Sequence, residues 1–119
     1  VIEELASKGI AVGRSAVERG LYQANWPGRL EIVSRQPLVV VDGAHNGDSA
    51  QKLAAALKEN FAYRRLILVL GTSCDKDIKG IAGALAPEAS IVIATRSHHA
   101  RAADPEQLAD AARKHCPGR

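Results

Sequence analysis

The chain has 119 residues, 46% hydrophobic but only 3% aromatic, and 16 basic against 13 acidic side chains leave a net charge of +3. That length allows one domain burying about two-thirds of its unfolded surface, and a core of Ala, Val, Leu and Ile suits helices on a sheet better than a small β-barrel. The charge is too mild and too scattered to argue for nucleic acid, and no apolar run approaches the roughly 20 residues of a membrane span.

Residues 1–9 (VIEELASKG) carry a helical pattern in Ile2, Leu5 and Ala6, stopped by Gly9. Ser15 to Gly20 predicts a second helical turn, with Ser15 as cap and Glu18 at capping-box spacing. Gly20, Asn25, Pro27 and Gly28 then punctuate a loop. Residues 1–25 read as a linker or the tail of a preceding domain, and residues 26–119 as the domain proper.

Leu30 to Val33 alternates as a short half-exposed strand, and Pro37 separates it from the run Leu38, Val39, Val40, Val41. Four aliphatic residues without a polar break are expected of a strand buried on both faces of a parallel sheet. The first strand would then pair with it as a hairpin or antiparallel edge. Ala50, Leu53, Ala54 and Leu57 mark one face of a helix from about Ser49 to Asn60, capped by Asp48 or Ser49. A second buried strand at 66–70 leads through the loop 71–77 to a helix carrying Ile78, Ile81, Ala82 and Leu85. A third buried strand at 91–94 ends in Thr95, Arg96, Ser97, His98 and His99. Asp104 then caps a last helix, with Pro105 first and Gln107 third. Strand, polar loop and helix in repetition predict an α/β, Rossmann-like, mostly parallel sheet flanked by helices, with an antiparallel edge strand.

Cys74 and Cys116 follow no metal-ligand spacing and imply no disulfide, so a reduced cytoplasmic setting is the expectation. His98 and His99 are adjacent, and adjacent side chains of an extended stretch point apart, so no metal is assigned to them. Arg96 and Arg101 read as solvated. The chain contains no Met and stops soon after a helical pattern, so a piece of a larger protein, truncated at its C-terminal end, is expected.

The chemistry concentrates in the loop Asp42-Gly43-Ala44-His45-Asn46-Gly47. In open α/β sheets, ligands bind at the carboxyl ends of strands. Carboxylate, imidazole and carboxamide within five residues can bond ribose hydroxyls, phosphate oxygens or a substrate amine. The plainer reading is a turn in which Asp42 and Asn46 bond their own backbone. The loop 71–77 is the second candidate, with Lys76 between Asp75 and Asp77. A lysine solvated beside its acidic neighbours weighs evenly against a ligand contact there.

WPGRLE at 26–31, DGAHN at 42–46 and GTSCDKD at 71–77, in that order, resemble the C-terminal domain of folylpolyglutamate synthase and dihydrofolate synthase, in the Mur ligase superfamily. By this resemblance Arg29 and Asp42 contact ATP, and His45 and Asn46 lie near the reacting phosphate and substrate. Lys76, with Ser73 in the same loop, holds a carboxylate of incoming glutamate. The family commonly has Pro after the Asn, where this chain has Gly47.

The resemblance further implies an ATP-dependent ligase that uses Mg2+ and adds L-glutamate to folate or dihydropteroate through an acyl phosphate. The phosphate loop Gly-x-x-x-x-Gly-Lys-Ser/Thr is absent from these residues. That loop and the metal ligands are expected in a central ATPase domain of the parent chain, leaving this piece inactive alone. A C-terminal domain of a cell-wall Mur ligase and a non-catalytic Rossmann-like binding module are the alternatives.

Overall fold

The computed structural model describes residues 1–116. Two leading helices, α1 (Ile2–Ser7) and α2 (Arg14–Gln23), bury no residue. The sequence pattern places a cap at Ser15, but α2 starts earlier, with Gly13 at its N-cap and no side-chain cap bond. Ser15 thus lies inside the first turn. Glu18, one turn beyond Arg14, pairs with that guanidinium at 2.9 Å instead of closing a capping box.

The strands β1 (Glu31–Arg35) and β2 (Leu38–Val41) form an antiparallel hairpin, pairing Glu31 with Val41 and Arg35 with Leu38 across a bulge between Ile32 and Ser34. The Gln36–Pro37 turn joins them. Next come α3 (Gly47–Asn60), β3 (Ile67–Leu70) and α4 (Ile78–Leu85). A single 3-10 turn (Ala86–Glu88) leads to β4 (Ile91–Ala94) and α5 (Pro105–Arg113). The strands β3 and β4 are parallel, Ile67 beside Ile91 and Leu70 beside Ala94.

This is the expected α/β architecture, with two differences. Among the described residues the strands form two separate pairs, because β2 makes no ladder with β3. Nor are the three apolar runs buried on both faces. Leu38, Val39, Val41, Ile67, Val69, Ile91 and Ile93 are exposed, while Leu68, Leu70, Val92 and Ala94 pack into the core. The reason is that the helices meet only one face of β3 and β4. Runs without polar breaks identify strands, but they do not say how many layers cover them.

The core joins Ala50 and Ala54 of α3, Ile78, Ile81 and Leu85 of α4, and Leu108 of α5 to Leu70 and Ala103. Ile81 and Leu108 are its fully buried large side chains, each contributing about 1.5–3 kcal/mol through burial. Ala at positions 50, 54 and 82 brings the helix backbones close. That packing sets the strand-end loops side by side.

Candidate functional site

In the turn 26–31, the amide of Gly28 donates to Glu31 Oε2 at 2.7 Å, and that of Arg29 donates to the Trp26 carbonyl at 3.2 Å. Gly28 has φ +71°, and the next left-handed residue is not glycine but Leu30, at φ +47°. Such a conformation costs an ordinary residue about 1–2 kcal/mol. The carboxylate of Asp42 offsets it, for Oδ2 accepts from the Leu30 amide at 2.8 Å. Its other oxygen accepts from the Ala44 amide, also at 2.8 Å, closing a local turn.

Asp42 therefore braces two backbone segments and fixes the point from which Arg29 projects. The Arg29 guanidinium lies over Gly43, 3.4 Å from where a Cβ would stand. Gly43 thus gives the cation room above the loop. Arg29 is exposed and has no carboxylate partner among the described residues. It is free to grip phosphate oxygens with paired donors.

His45 and Asn46 follow on the same loop, both exposed. His45 Nδ1 lies 3.0 Å from the Gly43 carbonyl; a carbonyl only accepts, so Nδ1 carries the hydrogen in this bond. Asn46 is the N-cap of α3, not Asp48 or Ser49 as the sequence pattern suggests. Its Oδ1 accepts from the Ser49 amide at 2.8 Å, while the Asn46 amide donates to Ser49 Oγ at 3.2 Å. This reciprocal pair starts the helix at Gly47 and leaves the Asn46 side-chain Nδ2 without a hydrogen bond among the described residues. The plainer reading of Asp42 and Asn46 is thus visible in the structure, and it supplies the rigidity that a binding loop needs.

The loop 71–77 is held differently. Thr72 accepts through its carbonyl from the Ala103 amide at 2.8 Å, and the Cys74 amide donates to the Arg101 carbonyl at 2.8 Å. Ser73 sits between these bonds, half-buried and bridged to Ala102. The Lys76 amide closes back on the Ser73 carbonyl at 3.1 Å. Lys76 Nζ meets Asp75 Oδ2 at 3.0 Å, the two side chains 38% and 45% exposed. The Lys76 hydrogen bond, helped by the charges of Lys76 and Arg101, holds the Asp75 carboxyl below its ordinary range.

The two loops adjoin where Asp77 meets Gly47. Beside Lys76 opens a shallow cleft of about 450 Å³, lined also by Lys79, Gln107, Asp110 and Lys114. The third strand end, 95–104, carries exposed His98 and His99; His99 Nδ1 accepts from the Arg101 amide at 3.1 Å. Among the described residues no three His, Cys, Asp or Glu side chains converge on a point that could hold a metal ion. The described residues therefore offer Mg2+ no ligand set.

Two residues with evident roles escape sequence reasoning. Glu31 reads as the solvent face of a strand but caps the Gly28 turn. Asp77 is the N-cap of α4, accepting from the Gly80 amide at 2.9 Å. Its three-residue spacing to Gly80 is the signal that could have found it.

Known proteins resemble this chain in sequence and fold. Residues 28–119 match the family described as Mur ligase, glutamate ligase domain. A probable bifunctional folylpolyglutamate synthase/dihydropteroate synthase of Haloferax volcanii is 43% identical over 97 residues, 82% of this chain and 11% of that protein. The solved Mycobacterium tuberculosis folylpolyglutamate synthase, complexed with ADP and AMPPCP, superposes with a TM-score of 0.85 at 39% identity, over 93% of this chain and 25% of that one. A bifunctional folylpolyglutamate synthase/dihydrofolate synthase with Mn, AMPPNP and L-glutamate bound gives 0.78 at 30% identity, over 90% of this chain and 26% of that one. The chain thus spans about a quarter or less of these relatives.

Proposed function

The chain belongs to the Mur ligase glutamate ligase domain family, and from that premise we propose that it is the nucleotide- and glutamate-positioning part of an ATP-dependent ligase joining L-glutamate to folate or dihydropteroate. The observation that carries this reading is the pairing of strand-end loops. One presents a free Arg29 on a frame braced by Asp42; the other presents Lys76 at the mouth of a cleft that also carries Lys79 and Lys114. A cation that can grip phosphate, and a cleft where Lys76, Lys79 and Lys114 outnumber Asp77 and Asp110, answer the two needs of glutamate ligation. The nucleotides and L-glutamate bound by the solved relatives support the same assignment.

In such a reaction the acceptor carboxyl is first phosphorylated, and the glutamate amine then displaces phosphate from the acyl phosphate to form an amide. Within this chain, Arg29 binds phosphate oxygens and Asp42 sets its position. His45 Nε2 and the Asn46 carboxamide are directed to the reacting end. Ser73 and Lys76 orient a glutamate carboxylate. The sequence contains no phosphate loop, so the transfer machinery is assigned to another domain of the same ligase, and the 119 residues alone are expected to be inactive.

The test is ADP release by the complete ligase carrying this chain, supplied with ATP, a folate or dihydropteroate acceptor, and glutamate. Arg29→Ala and Asp42→Ala should each weaken ATP use by about 1.5–3 kcal/mol, the worth of one to a few charge-assisted hydrogen bonds. Unchanged ATP kinetics in both variants overturns the nucleotide assignment. Glutamate-dependent ADP release by the isolated 119 residues overturns the partial-site reading.

A further inference from the structure

We propose that Asp77 is a positioning residue that sets the separation of the two strand-end loops, and not merely a helix cap. Its Oδ1 accepts from the Gly80 amide, which closes α4. Its Oδ2 folds back over Gly80, only 2.0 Å from where a Cβ on that residue would stand, with Cγ at 2.8 Å. No side chain fits at position 80 while the carboxylate stays in place. The same Oδ2 lies 3.2 Å from where a Cβ on Gly47 would stand, and that position is 3.5 Å from the Gly80 Cα.

Gly47 is the first residue of α3. Two helix starts therefore approach with about a methyl's width between their backbones, and one carboxylate stands at the gap. Both starts carry the positive end of a helix dipole, so an anion between them favours the contact from each side. A plain cap would act on α4 alone. Here the residue before Asp77 is Lys76, and the residues before Gly47 are His45 and Asn46. One side chain thus fixes the register of the proposed glutamate loop against the proposed reaction loop. The hairpin that carries Arg29 hangs on separate bonds, from Asp42 to Leu30 and from Glu31 to Gly28.

The functional half of this inference rests on the glutamate-ligase reading; the structural half does not. In the complete ligase, Gly80→Ala displaces the carboxylate and Asp77→Ala removes it. Each is expected to lower kcat/KM for glutamate roughly ten- to a hundred-fold, the cost of misplacing reacting groups by about 1 Å, with KM for ATP unchanged. Asp77→Asn keeps an oxygen for the Gly80 amide but not the anion between the two helix starts, and should recover only part of the loss. Wild-type glutamate kinetics in folded Gly80→Ala, an equal rise in KM for ATP, or full recovery in Asp77→Asn overturns the proposal.

Hydrogen exchange on the same proteins gives a readout independent of activity. Gly80→Ala should speed exchange at Ser49 and Ala50 in α3 as well as in 71–77; acceleration confined to 71–81 overturns the loop-spacing role. If the wild-type ligase does not use glutamate, the functional reading fails on its own account and the exchange pattern still decides on Asp77. Should Gly80→Ala not fold, Gly47→Ala, whose contact is the milder 3.2 Å, serves for both measurements.

Discussion

The loops 42–47 and 71–77 stand at neighbouring strand ends, yet they are held by different means. In 42–47, Asp42 bonds the amide two residues on, His45 bonds a carbonyl two residues back, and Asn46 and Ser49 bond each other. Most of that frame lies within four residues of itself. In 71–77, the holding bonds run to Arg101 and Ala103, some thirty residues away, and among the described residues Lys76 pairs with its neighbour Asp75. A loop wired to itself keeps its shape when the surroundings loosen. A loop wired to a distant segment keeps its shape only while the packing between α4, α5 and β4 holds.

The contrast can be broken at several points. Ile81→Ala empties a core site that is 1% exposed and should cost about 2–5 kcal/mol in urea unfolding. Below the unfolding midpoint, amide exchange should accelerate in 71–77 well before 42–47; equal acceleration would refute the difference in wiring. Asp42→Ala removes the two bonds to Leu30 and Ala44 and should cost about 1.5–3 kcal/mol of stability. Adding Leu30→Gly to that variant should recover about 1 kcal/mol, because glycine adopts the left-handed backbone freely. No recovery in the double variant would show that Asp42 does not offset the Leu30 conformation.

Asn46→Ala, which deletes the α3 cap, should cost about 1 kcal/mol, and the loss should be confined to the first turn of α3. Smallest is the effect of Lys76→Gln, read by a carboxyl titration of Asp75 in NMR. The carboxyl is depressed in the folded chain, so its contribution is present above the ordinary carboxylate range and disappears as pH falls through the lowered value. With Lys76 neutralised, the midpoint should rise towards the ordinary range. A midpoint that stays low would assign the depression to Arg101 and the local backbone instead.

The loops that carry the candidate residues were more legible than the sheet. Asp42, His45, Asn46, Arg29 and Lys76 stand out in sequence because polar residues cluster after apolar runs, and their local bonds follow from short spacings. The exact start of α3 was displaced by two residues because Asn46 outcompetes Asp48 and Ser49 for the cap: only it has Ser49 three residues on to complete the reciprocal pair. The exposed faces of β3 and β4 were not legible, since an aliphatic run reads the same whether one layer or two covers it.

By itself, then, the sequence determined the order of elements, the antiparallel hairpin at 31–41 and the Asp42 turn, all of which involve partners close along the chain, whereas the cap of α3 fell at Asn46 and not at Asp48 or Ser49. The tertiary structure alone decided that β3 and β4 pair apart from β2, that Arg101 to Ala103 frame Ser73, and that the Asp77 carboxylate reaches Gly47. Each of these joins residues that only packing brings together, and the closest of them depends on two positions lacking a Cβ. Local hydrogen bonding can be read from spacing; the fit of one backbone against another appears only once the helices are laid side by side.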